Sequence, residues 1–201
     1  MKVLTGIPAY RSCATDTFQA VYNLRIPPKV KKHELVFSKG YGVAQNRNKI
    51  ANYAIENKFD YILFIDSDII VPPDALEKLL NQKTDIATGW YNCVTPEGKI
   101  VHSWMLFDAQ NNKYVTRESA LNIEMPTPVE DVPAMGFGCV LVKTSLLKQL
   151  PYPYFVYLEN ANGGVLSEDI YFCNLIRERL PGVKIKGVPA VKCLHIKELT
   201  V

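Results

Sequence analysis

Tyr61 to Ile65 is an unbroken apolar run, YILFI, and it leads with no spacer into Asp66-Ser67-Asp68. An amphipathic helix or a half-exposed strand needs polar residues at regular intervals. A run with none predicts a strand covered on both faces, as in parallel sheets. The two carboxylates then fall at that strand's carboxyl end, where open sheets bind their ligands. The flanking sequence agrees. Lys2 to Ile7 predicts a buried strand stopped by Pro8, and residues 15–24 a helix with Phe18, Val21 and Tyr22 at helical spacing. Pro27 and Pro28 break that helix before a second strand, Glu34 to Phe37. Residues 43–57 carry Ile50, Ala51, Ala54 and Ile55 on one helical face. Pro72 and Pro73 open a further helix, where a missing N–H costs nothing, and Asp85 to Thr88 is a fourth strand. This alternation implies an α/β fold with a mostly parallel central sheet and helices on both faces.

Residues 92–131 break the pattern, rich in Pro, Asn and polar residues, with strand-like pieces near 99–107 and 112–116. They predict an irregular insertion or an antiparallel segment. Regularity returns with a strand from Cys139 to Val142 and a helix from Asp169 to Leu180, and Val183 to Val188 and Val191 to Ile196 read as closing strands. No Gly/Ser linker or repeat divides the chain, so residues 1–201 are expected to form one domain.

Composition excludes several functions. With 48% hydrophobic and 21% charged residues, a chain of 201 residues can bury a full core without staples. A net charge of +3 does not suit a dedicated nucleic-acid binder. No apolar run approaches the ~18 residues of a membrane span. The start, MKVLTGIPAYRSC, lacks a secretory apolar stretch, and the five cysteines are scattered without a C-x-x-C pair. A cytoplasmic protein with reduced, packed cysteines is expected.

Two like charges at a buried strand end are costly unless something positive lies between them. Oxygen ligands select Mn²⁺ or Mg²⁺, so Asp66 and Asp68 are candidate metal ligands; the plainer reading is an Asp- and Ser-capped turn. Ser167-Glu168-Asp169 opens the late helix, where acidic residues suit the macrodipole but also aim a carboxylate as general base. Gly163 and Gly164 before it would let a loop approach a ligand. His195, in the last strand, is either a packed residue or the imidazole that completes a carboxylate-rich metal shell. Pro8-Ala9-Tyr10 ends the first strand where a nucleobase or ribose can stack, or is a simple turn. Arg47, at the second helix's start, can reach a diphosphate with its planar fork or stay a solvated helix residue. Gly136 in Gly136-Phe137-Gly138 allows close approach to a sugar or forms a turn. Lys29, Lys31 and Lys32 read as a solvated connection.

Taken in order, these motifs resemble a GT-A-fold glycosyltransferase of family 2, over nearly the whole chain. The resemblance implies a single GT-A domain, metal-dependent, moving one sugar from a nucleotide-diphosphate sugar to an acceptor hydroxyl. Carried over residue by residue, Asp68 is the main metal ligand, Asp66 contacts ribose or metal, and Ser67 between them falls with both on the donor-binding side. His195 matches the histidine that often completes the metal shell. Asp169 matches the base for the acceptor hydroxyl, with Glu168 beside it. Pro8, Ala9, Tyr10, Ser38, Arg47 and Gly136 fall on the donor side. Ser38-Lys39-Gly40 stands where the family usually has an acidic residue reading uracil; a UDP-sugar is still expected over a GDP-sugar. The Q-x-x-R-W motif of processive synthases is absent, which points to single-sugar transfer; inversion is what the family resemblance implies. Trp90, Tyr91, Trp104 and the loop before Glu168 are candidates for the acceptor side, or for the core. The rivals are an inactive nucleotide-sugar-binding module, a haloacid-dehalogenase-like phosphatase and a sugar-1-phosphate nucleotidyltransferase. The phosphatase wants Thr or Val where Ile70 stands and has its D-x-D strand first; the nucleotidyltransferase wants a Gly-rich basic loop after strand one.

Overall fold

The computed structural model describes residues 1–95, 97–118, 128–159 and 165–196; Gly163 and Gly164 lie outside them. The first half alternates as expected: β1 (Lys2–Ala9), α1 (Thr15–Tyr22), β2 (Lys32–Lys39), α2 (Val43–Glu56), β3 (Tyr61–Ile65), the short β4 (Ile69–Ile70), α3 (Ala75–Leu80) and β5 (Ile86–Trp90). β1 continues through Pro8 to Ala9. Its ladder to β3 has already ended at Gly6↔Phe64, so Pro8 sits where a missing N–H is tolerated.

The middle of the chain is antiparallel. β6 (Asn92–Val94), β7 (Ile100–Asp108), β8 (Lys113–Glu118) and β10 (Ala134–Met135) build a second sheet, while β9 (Glu130–Asp131) joins the first. The chain closes with β11 (Cys139–Lys143), α4 (Thr144–Leu147), β12 (Leu158–Glu159), β13 (Val165–Leu166), α5 (Glu168–Arg179), β14 (Ile185–Lys192) and β15 (Leu194–His195).

The main sheet runs β2-β1-β3-β11-β5-β14-β9. β2, β1, β3, β5 and β14 point the same way; β11 and β9 are reversed, so the sheet is mixed. β11 is reversed because the chain re-enters from the second sheet at the carboxyl end of β3. That brings Gly136-Phe137-Gly138 beside Asp66, whose N–H donates to the Gly138 carbonyl at 3.1 Å.

Period-two alternation splits β3 between two cores. Ile62 and Phe64 pack with Ile50, Ala51 and Ala54 of α2 and with Phe137, Phe155 and Phe172. Leu63 and Ile65 pack on the opposite face with Val21 of α1 and Leu76 and Leu79 of α3.

The two closing strands read from the sequence are one strand and a fragment. β14 is a single strand whose register shifts between Gly187 and Lys192. The irregularity accommodates Pro189, which lacks a ladder donor, and the Trp90 Nε1–H donates to the Pro189 carbonyl at 2.8 Å. β15 leaves the sheet and pairs antiparallel with β4, His195 opposite Ile69. Among the described residues no helix is long and apolar enough to cross a membrane.

Candidate active site

Asp66 leaves the end of β3 and turns at once, the Ile69 N–H donating to its carbonyl at 3.1 Å. Its Oδ1 accepts a hydrogen bond from Arg47 Nη2 at 2.6 Å, and Arg47 Nη1 pairs with Glu168 Oε1 from the start of α5. Arg47 shares a helical face with Ile50, Ala51 and Ala54, which buries it to 2% exposure. Its guanidinium lies over Phe137 at 5.2 Å and Phe155 at 6.0 Å. Burial alone pulls an arginine's pKa down, but Asp66, Glu168 and Asp169 together carry it upward. Burial pushes the Asp66 carboxyl above its ordinary value against the opposing pull of Arg47. Arg47 is therefore not the solvated helix residue that was one of its two readings from the sequence. Both terminal nitrogens are committed to carboxylates, and its work is to hold the end of β3 against the start of α5.

Asp68 sits differently. Its side chain is 48% exposed, and its Oδ2 lies 3.2 Å from His195 Nε2. The two are brought together by the β4–β15 pairing and by the Ile196 N–H, which donates to the Asp68 carbonyl at 2.8 Å. The hydrogen bond to Asp68, with a second to Cys93, holds the His195 imidazolium pKa up to about 10. An open cleft of about 570 Å³ borders Asp68, lined also by Ser12, Thr15 and Ser67. The Ser67 carbonyl accepts the Ala14 N–H at 2.8 Å, tying this turn to the loop before α1.

Asp169 occupies the first turn of α5. Its Oδ1 accepts from the Ser167 hydroxyl and from the Ile170 N–H, the latter at 2.8 Å. Burial raises its carboxyl pKa above the ordinary value, although the Ser167 hydrogen bond and Arg47 pull it down. Gly136 faces it: a methyl group there would lie 3.8 Å from Asp169 Oδ2 and 2.5 Å from the Tyr91 hydroxyl. Tyr91 accordingly packs against Gly136 and Gly138, accepts the Gly138 N–H at 3.2 Å, and meets His195 edge-on at 5.6 Å.

The donor-side candidates converge through a residue the sequence reading passed over. Asn46 is fully buried; its Nδ2 donates to the Ala9 and Tyr41 carbonyls and its Oδ1 accepts the Ser38 hydroxyl at 2.9 Å. One amide thus joins the carboxyl ends of β1 and β2. Pro8 pairs with Ser38 across the same ladder, and Tyr10 just beyond it is 57% exposed with its ring open beside Arg11. Asn48 does similar work on the other side of Arg47, bonding the backbone of Tyr154 and Phe155. The signal was legible: Asn46-Arg47-Asn48 puts three polar residues at a place where the helix periodicity demands burial.

The aromatics read as acceptor candidates are core. Trp90, Tyr91 and Trp104 are 4%, 6% and 1% exposed. Trp90 and Trp104 flank the His102 ring, each at 4.9 Å, and burial lowers the pKa of that histidine to about 4.

Among the described residues no group of three or more His, Cys, Asp or Glu side chains is placed to hold a metal ion. The set expected from the sequence, Asp66, Asp68 and His195, is divided: Asp66 is drawn to Arg47, leaving Asp68 and His195 beside the cleft. The Asp68 carboxylate at the cleft, with the His195 imidazole beside it, fits a divalent cation that displaces the imidazole's proton and takes its remaining ligands from a substrate and water.

The family model for glycosyl transferase family 2 matches residues 20–131. Among solved structures the chain is similar to A197 from STIV, at 17% identity and a TM-score of 0.63, over 98% of this chain and 87% of that one. It is similar to GalNAc-T7, solved with UDP, GalNAc and Mn²⁺, at 13% identity and a TM-score of 0.66, over 100% of this chain and 45% of that one. It is also similar to S. aureus TarS residues 1–349, solved with UDP-GlcNAc, at 15% identity and a TM-score of 0.54, over 98% and 60%. These likenesses establish a common fold. No curated protein sequence matches.

Proposed function

Because the chain belongs to glycosyl transferase family 2, we propose that it moves a single sugar from a UDP-sugar to an acceptor hydroxyl, with inversion, as one domain over residues 1–201. The observation that carries this reading is the pairing of Asp68 with His195, 127 positions apart in sequence, at the cleft beyond β3. UDP and its sugars occupy two proteins of the same fold, one of them with Mn²⁺, which supports UDP over GDP here. Asp68 and His195 would hold Mn²⁺ or Mg²⁺. When bound, the cation supplies positive charge that steadies a departing diphosphate. The five free cysteines suit a cytoplasmic setting.

The chain's own groups do the rest. Tyr10 and the backbone near Ala9 and Ser38 receive the nucleoside. Asp169 takes the proton from the acceptor hydroxyl while that oxygen bonds to the anomeric carbon; the bond to the diphosphate breaks and its electron pair leaves with the phosphate oxygen. The Ser167 hydroxyl and the Ile170 N–H on Oδ1 fix the carboxylate's orientation, and its raised pKa makes it a stronger base than an exposed aspartate. Attack from the side opposite the leaving group inverts the anomeric centre.

The test is a thermal-shift panel of UDP-, GDP- and dTDP-sugars with and without Mn²⁺, on the wild type and on Asp68→Asn. A Mn²⁺-dependent rise with UDP-sugars, lost in the variant, is expected. A rise of equal size in Asp68→Asn would sink the assignment of that carboxylate. Asp169→Asn is expected to keep the donor-dependent rise and lose transfer by ~10²–10⁴-fold.

A further inference from the structure

A second opening of about 930 Å³ lies on the other side of α2, between its amino-terminal turns and the segment from Tyr152 to Tyr157, and it reaches Glu168 at the start of α5. Gln45, Asn48 and Lys49 line it from one helical face, whereas Asn46 faces the ends of β1 and β2. The nucleoside side and this groove are therefore separated by the helix that carries Arg47. We propose that the groove is the acceptor site and that it takes a neutral carbohydrate. This inference rests on the transferase reading above.

Tyr41, Tyr152 and Tyr157 line the groove with 47%, 61% and 53% of their surface exposed. Large aromatics exposed together in a concave site are what a ligand-binding pocket presents. A tyrosine ring is apolar on its face and wet at its tip, which matches a pyranose, whose C–H face is apolar and whose rim is hydroxylated. The wall is built and rigid. Asn48 accepts the N–H groups of Tyr154 and Phe155 and donates to the Phe155 carbonyl at 2.7 Å. The Phe155 ring stacks on Phe172 in the core, and Tyr152 packs edge-on against the buried Tyr154 at 5.6 Å.

Charge narrows the ligand class. The charged residues lining the groove are Lys49 and Glu168, one of each sign. Lys49 sits 3.3 Å from the centre of the Tyr41 ring, and Glu168 is bound by Arg47. A phosphorylated acceptor would call for clustered arginines or lysines, which this lining lacks among the described residues. The groove reaches the first turn of α5 at Glu168, and the same turn carries Asp169.

The experiment is saturation-transfer NMR with methyl β-D-glucopyranoside, methyl β-D-galactopyranoside, lactose and glucose 6-phosphate, in the presence of UDP and Mn²⁺. It is run on the wild type, Tyr152→Ala, Tyr157→Ala and Tyr157→Phe, with the UDP thermal shift recorded for each. Saturation of ring C–H protons of a neutral sugar is expected in the wild type, with affinity ~10-fold weaker in either alanine variant and restored in Tyr157→Phe. All variants should keep the UDP shift, since both side chains are exposed. A UDP shift with no saccharide saturation, or with saturation indifferent to both alanine variants, overturns the groove and leaves the transferase reading standing. Preference for glucose 6-phosphate over the neutral sugars overturns the charge argument. Saturation without any UDP shift removes the transferase reading and the acceptor role with it.

Discussion

Asp66 and Asp68 are two residues apart on one turn, yet they live in different electrostatic worlds. Asp66 is packed against a buried guanidinium that also grips Glu168, and its side chain is 25% exposed. Asp68 is 48% exposed, borders an open cleft and pairs with His195 at 3.2 Å. The same residue type thus does two jobs. One carboxylate fastens the end of β3 to α2 and α5, so that the other can stand in solvent at a fixed position. A site for a highly charged donor needs both, because a ligand carboxylate that is free to bind is also free to move unless its backbone is held.

The largest effect expected from this difference is on folding. Arg47→Ala leaves Asp66 and Glu168 partly buried without their shared cation, which costs about 3–5 kcal/mol and, for a chain of this size, lowers Tm by roughly 10 °C. Chemical denaturation and calorimetry measure it directly. A loss under ~1 kcal/mol would mean that the knot is not what fastens β3 to α5, and the contrast between the two aspartates would collapse.

Asp68→Asn is the counterpart. An exposed pair with His195 contributes at most ~1 kcal/mol to stability, so Tm in the absence of ligands should hardly move. Transfer should nonetheless fall by ~10²–10³-fold, the scale of losing a key electrostatic contact. A variant that unfolds as readily as Arg47→Ala would show that Asp68 is structural too. Smaller again is His195→Ala, which keeps Asp68 in place. Apparent Mn²⁺ affinity should weaken by ~10–100-fold with transfer recoverable at high Mn²⁺, as read by a metal titration of initial rates. Insensitivity to Mn²⁺ concentration in this variant would remove the histidine from the metal's surroundings.

Much of this arrangement could be read from the chain, and the unread part has physical reasons. YILFI and the strand–helix alternation gave the layers, because burial on both faces leaves a pattern in the sequence. The direction of β11 left no such pattern, since side-chain alternation is the same for a strand and its reverse. Arg47 shows a partial success. Its spacing from Ile50, Ala51 and Ala54 places it on the buried face, but its partners come from β3 and α5, whose docking is a tertiary event. His195 was flagged, while its route to Asp68 depends on the irregularity in β14 and on β15 leaving the sheet. Trp90 and Trp104 were candidates for a sugar surface, and composition cannot tell a buried indole from an exposed one. The exposed aromatics of the groove beside α2, Tyr41, Tyr152 and Tyr157, are ones the sequence did not single out.

Asp169 extends the comparison to a third carboxylate, one neither locked by an arginine nor open to solvent. Burial raises its pKa above the ordinary value of 3.8. A carboxyl whose pKa is raised on folding favours the folded state only while it is protonated. That contribution is complete below the ordinary value and lost as pH rises through the raised one. Once ionised, Asp169 is therefore a cost to stability, which its proposed role as the base accounts for. Asp169→Asn retains the Oδ1 acceptor for Ser167 and Ile170 and should stabilise the fold at pH 7 by roughly 0.5–2 kcal/mol, the scale of relieving a strained functional group, while turnover falls by ~10²–10⁴-fold. The gain should shrink as pH falls and vanish below 3.8, where wild type and variant are both neutral at this position. The same titration sets the acidic limb of the wild-type rate, which should fall away at a pH above 3.8 rather than below it. Paired denaturation curves and rate profiles across the acid range measure both. A variant no more stable than wild type at pH 7, together with an acidic limb at or below the ordinary value, would return Asp169 to the role of a helix-capping residue and move the base elsewhere.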